Sequence, residues 1–535
     1  MENKFRDFIA RYRDRVSDLE KKKHLAYFNA AVTGKKRYYT LYTKLEIDHT
    51  RFLRSDGSYR YVAGMQKPGT LNDPALGRQA KVLYHIYKAH QLPGDLQEAI
   101  IELETQVANK FSLFRAEVDG RRLTDNQVEK ILETSSDPAV VEKTWKASKM
   151  AGGLVAQDVR RLVDMRNQAA RQLGYANYHN MSLWLSELDP GMIDALFDQL
   201  DALTARGFRQ VKGRMDRFLS EKFGIAISAL RPWHYQDRFF QEAPRINDLD
   251  LDKYYDGQDL VALTARYFKG IGMPVDDLIE NSDLFEKPGK NQHAFCIHID
   301  RYGDVRVLCN IKPNRKWMNT MLHEYGHAVY EKYYGTKLPF VLREPAHIFV
   351  TEAVAMFFGR LASDPRWMSA MGIISSAVAC KMAPQAMENM QIEQLVFSRW
   401  AQVMYRFEQS MYADPQQDLN RLWWSLVKKY QDLDPPGDLS YPHWASKIHI
   451  ATAPCYYHNY LLGELLASQF YACIDTTLPD GMPLKKGGYT HSPAMGAFFC
   501  DKVFAQGTRY HWSEMIRRAT GSDLDPGFYA RQFAV

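Results

Sequence analysis

Between Trp317 and Gly335 the chain reads WMNTMLHEYGHAVYEKYYG, and five of these residues, His323-Glu324-Tyr325-Gly326-His327, could do chemistry together. Histidines four apart on a helix share one face, where both imidazoles can reach a single tetrahedral ion. A glutamate directly after the first histidine is placed to take a proton from water at that ion. The ligand types and spacing suit zinc. A third protein ligand is needed, and the histidine that a longer form of this motif places six residues after the second is replaced here by Tyr333. Further on, the run Ile348 to Phe358, IFVTEAVAMFF, is apolar except for Thr351 and one carboxylate, Glu352, 25 residues after His327. A carboxylate buried there without a partner would be destabilising or held protonated, whereas a metal cation satisfies it. Glu352 is therefore the expected third ligand. Glu331, Glu344 and His347 are the alternatives, set aside because they lie among polar or loop-like residues that water can satisfy.

These side chains need two helices to hold them. For the first, Pro313 and Asn314 supply a start, Gly335 a stop, and Trp317, Met318, Met321, Leu322, Ala328 and Val329 recur at helical spacing. The second is the apolar run itself. Before them, His293 to Cys309, HAFCIHIDRYGDVRVLC, alternates apolar and polar residues about an Asp300 to Asp304 turn, which predicts a hairpin and the only β element. From Lys4 to about Ala170 apolar residues such as Phe5, Phe8, Ile9, Tyr12 and Val16 mark amphipathic helices, interrupted at Thr33-Gly34, Lys67-Pro68-Gly69 and Leu92-Pro93-Gly94. Arg171 to Leu188 is an aromatic-rich junction, with a formal glycosylation sequon at Asn180, and Ala229 to Pro244 is loop-like and aromatic. Helix resumes after the metal-site segments and continues to about Asp432, where Asp434-Pro435-Pro436-Gly437 breaks it. The next block, Trp444 to Phe470, packs Lys447, His449, Tyr456, Tyr457, His458 and Tyr460 into fourteen residues. With no repeat and no long linker, one catalytic domain over residues 1–535 is expected.

Lys and Arg number 69 against 63 Asp and Glu, and the short basic clusters at Lys21 to Lys23 and Lys485-Lys486 read as solvated faces, so no nucleic-acid partner is expected. No apolar run approaches the ~20 residues that span a bilayer, and the opening MENKFRDFIARYRDR lacks the apolar core of a signal peptide. As the sequence stands the expectation is cytoplasmic, or periplasmic or secreted if a signal was removed. Cys296, Cys309, Cys380, Cys455, Cys473 and Cys500 are scattered and read as core thiols.

Taken together these blocks resemble the angiotensin-converting-enzyme family of zinc dipeptidyl carboxypeptidases. His323 to His327 resembles the family's His-Glu-Met-Gly-His, and Thr351-Glu352-Ala353-Val354 its His-Glu-Ala-Ile. His293-Ala294 stands 30 residues before His323, as the family's His-Ala strand does. Lys447-Ile448-His449-Ile450 resembles Lys-Phe-His-Ile, and Tyr457 and Tyr460 keep a tyrosine pair three apart. The resemblance implies a mainly α, two-lobed peptidase with a deep central groove, a small sheet beside the zinc helix, and N-terminal helices, about residues 1–120, as a lid. It implies one zinc ion on His323, His327 and Glu352, with Glu324 as general base and then acid, and Tyr460 and His449 stabilising the oxyanion. His293 and Ala294 would hold an extended peptide, and Lys447, Tyr457 and Gln236 its terminal carboxylate.

The implied activity is release of dipeptides from short peptides with a free C-terminus, by a monomer or a homodimer. The alternatives are a thimet-oligopeptidase-like endopeptidase, a zinc monocarboxypeptidase, and a peptide-binding scaffold without turnover. The chain departs from the family in four places. One extra residue between His449 and Tyr460 lets Tyr456 exchange roles with Tyr457. Met356 stands where the family has an aspartate that orients a zinc histidine, and Asn459 where it has a chloride-binding arginine. Gln292 replaces a disulfide cysteine, although Cys473 and Cys500 fall near a second family pair.

Overall fold

The structure, a computed structural model, describes residues 1–335, 337–477 and 490–534; the Lys485-Lys486 cluster lies outside them. In chain order the elements are α1 (Glu2–Thr33), α2 (Lys36–Leu53), α3 (Asp56–Met65), α4 (Pro74–Ala89), α5 (Gly94–Leu113), β1 (Ala116–Val118), β2 (Arg121–Leu123), α6 (Asp125–Thr134), α7 (Pro138–Gln172), α8 (Tyr178–Leu185) and α9 (Pro190–Phe223). Then come α10 (Asp252–Tyr255), α11 (Leu260–Gly270), α12 (Asp276–Glu280), β3 (Phe295–His298), β4 (Val305–Leu308), α13 (Arg315–Lys332), α14 (Ile348–Gly359), α15 (Pro365–Ala370) and α16 (Ser376–Ala413). The last are α17 (Leu419–Gln431), α18 (Ile448–Thr452), α19 (His458–Thr477), α20 (Pro493–Lys502), α21 (Trp512–Thr520) and α22 (Pro526–Phe533). The fold is mainly α, with two small antiparallel sheets among the described residues. The predicted hairpin is β3–β4, pairing Phe295 with Leu308 through His298 with Val305.

The other hairpin, β1–β2, corrects the all-helical reading of the N-terminal third. Its signal was Asp119-Gly120, both at positive φ (52° and 73°), which is the turn chemistry that joins two short strands. The predicted breaks fall where expected. Gly34, at φ 65°, ends α1, and a Cβ there would come 2.4 Å from the Gly289 carbonyl oxygen, so only glycine fits.

The chain forms two compact units: residues Met1–Gln91, Leu249–Met387 and Leu462–Phe528, and residues Leu92–Asp248, Glu388–Leu461 and Tyr529–Val535. The N-terminal helices are thus shared out, with α1 to α4 in the first unit and α5 in the second. In the first, Phe5, Tyr12 and Val16 of α1 pack with Leu76, Leu83 and Tyr87 of α4 and with Leu338 to Leu342. The other end of α1 packs Phe28, Ala31 and Val32 on Ile299 and Leu308 of the β3–β4 hairpin. Below the hairpin α13 crosses α14 closely at Gly326, where an added Cβ would lie 2.8 Å from Ala355 Cα. Met318, Met321, Leu322, Ala328 and Val329 are fully buried, as their spacing predicted.

The second unit is built on the long helices α7 and α9 and on α16 from Glu388 onward. Asp201 and Thr204 of α9 hold Arg399 of α16, and Arg166 of α7 bonds the Tyr412 hydroxyl, also on α16. All six cysteines are free thiols, but Cys380 is exposed on α16, so it is not the core thiol expected.

Candidate functional site

Asn314 Oδ1 accepts the Trp317 N–H and starts α13, which then carries His323, Glu324 and His327 on successive turns. His347 does the same for α14, its Nδ1 accepting from the Phe349 N–H, and α14 presents Glu352 to the two histidines. The Nε2 atoms of His323 and His327 are 3.3 Å apart, and Glu352 Oε2 lies 3.7 Å and 3.9 Å from them. Among the described residues this is the one group of three or more such side chains with metal-holding geometry. Ligand atoms about 2.0 to 2.1 Å from a shared zinc at tetrahedral angles would be roughly 3.3 Å apart. The triangle fits a zinc ion with little adjustment, and its donors, two imidazoles and a carboxylate, suit that ion.

The three alternatives for the third ligand are engaged elsewhere. Glu331 lies on α13, not in a loop, and faces Cys296 Sγ at 3.8 Å. Glu344 pairs with Arg301 at 2.8 Å, and His347 is a buried helix cap.

Two features of the surroundings were missed in the sequence. His327 Nδ1 lies 2.7 Å from Thr351 Oγ1, so the residue before Glu352 fixes this ring with Nε2 turned to the other ligands. Met356, at the family's aspartate position, instead has its Sδ 3.1 Å from where a Cβ on Gly463 would stand. The other is the main-chain N–H of Cys296 on β3, which lies close enough to the Glu324 carboxylate to favour its charged form. Burial first and the nearby Glu352 second push Glu324 up to about 8, against the opposing effect of the Cys296 N–H. Burial also holds His323 down, at about 4, and His327 well below the ordinary imidazole value. A cation would reverse this, stabilising both carboxylates as anions and the imidazoles as neutral ligands. His293 is exposed at the entry to β3, with its N–H on Asn291 Oδ1, and Ala294 follows it toward the strand.

The second unit gathers the other predicted residues. Lys447 Nζ donates to Gln241 Oε1 at 2.6 Å and lies 5.2 to 5.5 Å from the ring centres of Trp400, Phe239 and Tyr457. Burial lowers Lys447 to about 8. Tyr457 packs against His449 (5.3 Å between ring centres) and Tyr460 (5.4 Å), and Tyr456 lies 5.1 Å from Tyr460. Tyr457, rather than Tyr456, is therefore the tyrosine ring found beside Lys447. Burial keeps His449 neutral, at about 4, and its Nδ1 has no hydrogen-bond partner among the described residues. Gln236 is not at Lys447. Its backbone is left-handed (φ 64°) and its Oε1 accepts from the Arg245 N–H, so the glutamine on the lysine is Gln241, five residues on in the same aromatic segment.

The angiotensin-converting enzyme family model matches residues 1–213 and 240–526, a span that includes Gln241 and omits Gln236. The angiotensin-converting enzyme of Mus musculus is 24% identical over 408 residues, 71% of this chain and 31% of that protein. That of Rattus norvegicus is 21% identical over 413 residues, 71% of this chain and 31% of the relative. That of Mesocricetus auratus is 24% identical over 267 residues, 48% and 20%. The chain thus aligns with about a third or less of the length of these relatives. No helix among the described residues is long and apolar enough to cross a membrane. Since the match extends over most of the sequence and includes both segments that build the His323, His327 and Glu352 triangle, the chain belongs to the angiotensin-converting enzyme family of peptidases.

Proposed function

We propose that this chain is a zinc-dependent peptidase that removes dipeptides from the free C-terminus of short peptides. The observation that carries the reading is the triangle of His323, His327 and Glu352 with the buried Glu324 on the next residue of the same helix. These three residues would hold the zinc, which when bound supplies Lewis acidity toward water and the scissile carbonyl. Glu324 takes the proton from the attacking water and hands it to the leaving amine.

By the family pattern Tyr460 and His449 donate to the oxyanion as charge develops, the neutral state of His449 leaving it one N–H to give. His293 and Ala294 would align the substrate as an added strand. Lys447, supported by Gln241 and Tyr457, would take the terminal carboxylate. Two extended residues span roughly 7 Å, so an anchor at the chain end, rather than any one side chain, sets a dipeptide as the product.

The test is incubation of the zinc-loaded protein with an unstructured peptide of about ten residues in free-acid and amidated forms, with the earliest products identified by mass spectrometry. Dipeptides from the free acid and slow cleavage of the amide are expected. Single residues would indicate a monocarboxypeptidase, and internal fragments from both peptides an oligopeptidase. Retained zinc with no cleavage would indicate a binding scaffold. Any of these three results overturns the proposal.

A further inference from the structure

The segment that separates His449 from Tyr457 and Tyr460 is held by two buried ionisable groups that the proposed reaction does not use. Cys455 sits in this segment at φ 55°, a left-handed conformation that a residue with a Cβ adopts only when its surroundings impose it. Its N–H donates to Glu408 Oε1 at 2.8 Å, and both residues are buried, Glu408 2% exposed and Cys455 5%. Four residues earlier the Ala451 carbonyl accepts from Arg166, which is 1% exposed and also bonds the Tyr412 hydroxyl at 3.0 Å and Glu104 at 2.6 Å. Glu408 and Tyr412 lie one turn apart on α16, so one helix anchors both ends of the segment, directly through Glu408 and through Arg166 at Ala451. Within it the Ala453 N–H returns to the His449 carbonyl at 2.9 Å.

A main-chain N–H needs only an acceptor, and water or a backbone carbonyl would serve in an ordinary turn. Placing a carboxylate in the interior for this purpose is destabilising unless the geometry it imposes matters elsewhere. The residues whose geometry follows from it are His449, six residues before Cys455, and Tyr457 and Tyr460, two and five after.

We infer that Glu408 is a positioning residue: by holding the Cys455 N–H, with Arg166 at Ala451 as the opposite anchor, it fixes His449 relative to Tyr457 and Tyr460. The inference rests on the roles given to those three residues under the proposed function. Burial pushes Glu408 up to about 8, against the Cys455 N–H and Arg166, and it accepts the bond through the single oxygen Oε1, which a glutamine also carries. Glutamine therefore reproduces it.

The experiment compares Glu408→Ala, Glu408→Gln and the double variant Glu408→Ala/Cys455→Gly with the unaltered chain. One readout is kcat/KM for dipeptide release. The other, independent of activity, is the rate of iodoacetamide alkylation of Cys455, followed by peptide mapping. Glu408→Ala should lower kcat/KM about 10- to 100-fold, the scale of a misplacement near 1 Å, and speed Cys455 alkylation. Glu408→Gln should stay within about twofold on both readouts. Glycine adopts φ 55° unaided, so the double variant should recover part of the lost kcat/KM. If Glu408→Ala does not fold, Glu408→Asp, which withdraws the acid by one methylene, carries the same expectations. A folded alanine or aspartate variant with unchanged kcat/KM and unchanged alkylation overturns the inference. If the unaltered chain releases no dipeptides, the proposed function fails, while alkylation still reports whether Glu408 holds the turn.

Discussion

Replacing Thr351 by valine tests how the metal site is pre-arranged. Thr351 is 5% exposed, and valine matches its shape, so packing is kept while the hydroxyl on His327 Nδ1 is lost. In the tautomer that leaves Nε2 for the ion, Nδ1 carries a proton, and Thr351 Oγ1 at 2.7 Å accepts it. Without that oxygen a buried N–H is left unsatisfied, at about 1 to 3 kcal/mol. Each 1.4 kcal/mol is about tenfold in binding, so zinc affinity should fall roughly 5- to 150-fold, overlapping the 10- to 100-fold typical of removing such outer partners. The assay is competition for zinc against a chromophoric chelator at fixed pH, with unfolding measured in parallel. Thr351→Ser, which keeps the hydroxyl, should bind zinc nearly as the unaltered chain does. A folded valine variant whose zinc affinity lies within twofold of the parent would refute the argument that Thr351 orients His327.

Glu324→Gln should retain zinc but lose about 10²- to 10⁴-fold in kcat, measured by steady-state release of a chromogenic dipeptide. Lys447, brought down to about 8, is an ammonium below that pH and neutral above it, so it can pair with a carboxylate only on the acid side. KM for a free-acid peptide should therefore be flat from pH 6 to about 7.5 and climb up to about tenfold per unit above 8. The Lys447→Met variant should show a high KM without that alkaline rise. Gly326→Ala would bring a Cβ to 2.8 Å from Ala355 Cα and 3.2 Å from Phe358 Cδ2. Pushing α13 from α14 should cost about 1 to 3 kcal/mol in denaturant unfolding and weaken zinc binding as well.

Much of the first unit's site was legible because its signals are local. The cap at Asn314, the apolar spacing of α13 and the Asp300 to Asp304 turn are each set by a few neighbouring residues, and the structure forms α13, α14 and the β3–β4 hairpin where those signals lie. Glu352 stood out for a related reason, since one carboxylate in an apolar helical run must find a partner. What escaped were weaker local signals and contacts between distant segments. The Asp119-Gly120 turn joins strands of only three residues each, too short for alternation to register. Glu331 has polar neighbours in sequence, yet helix geometry turns it toward Cys296, 35 residues earlier.

The glutamine at Lys447 shows the same limit. Gln236 and Gln241 stand in one aromatic segment with equal chemical claims, and only the left-handed backbone at Gln236, which directs its side chain to the Arg245 N–H, leaves Gln241 to meet a lysine 206 residues away. The sequence by itself pointed to the main helices, their apolar faces and the His323, His327 and Glu352 set that could hold a metal, because helical period and the need to satisfy a buried charge act over one or two turns. Tertiary structure alone decided which partners surround that set. Thr351 on His327 and Glu408 beneath Cys455 are matters of a few tenths of an ångström between segments, fixed by how the packed helices exclude every other arrangement.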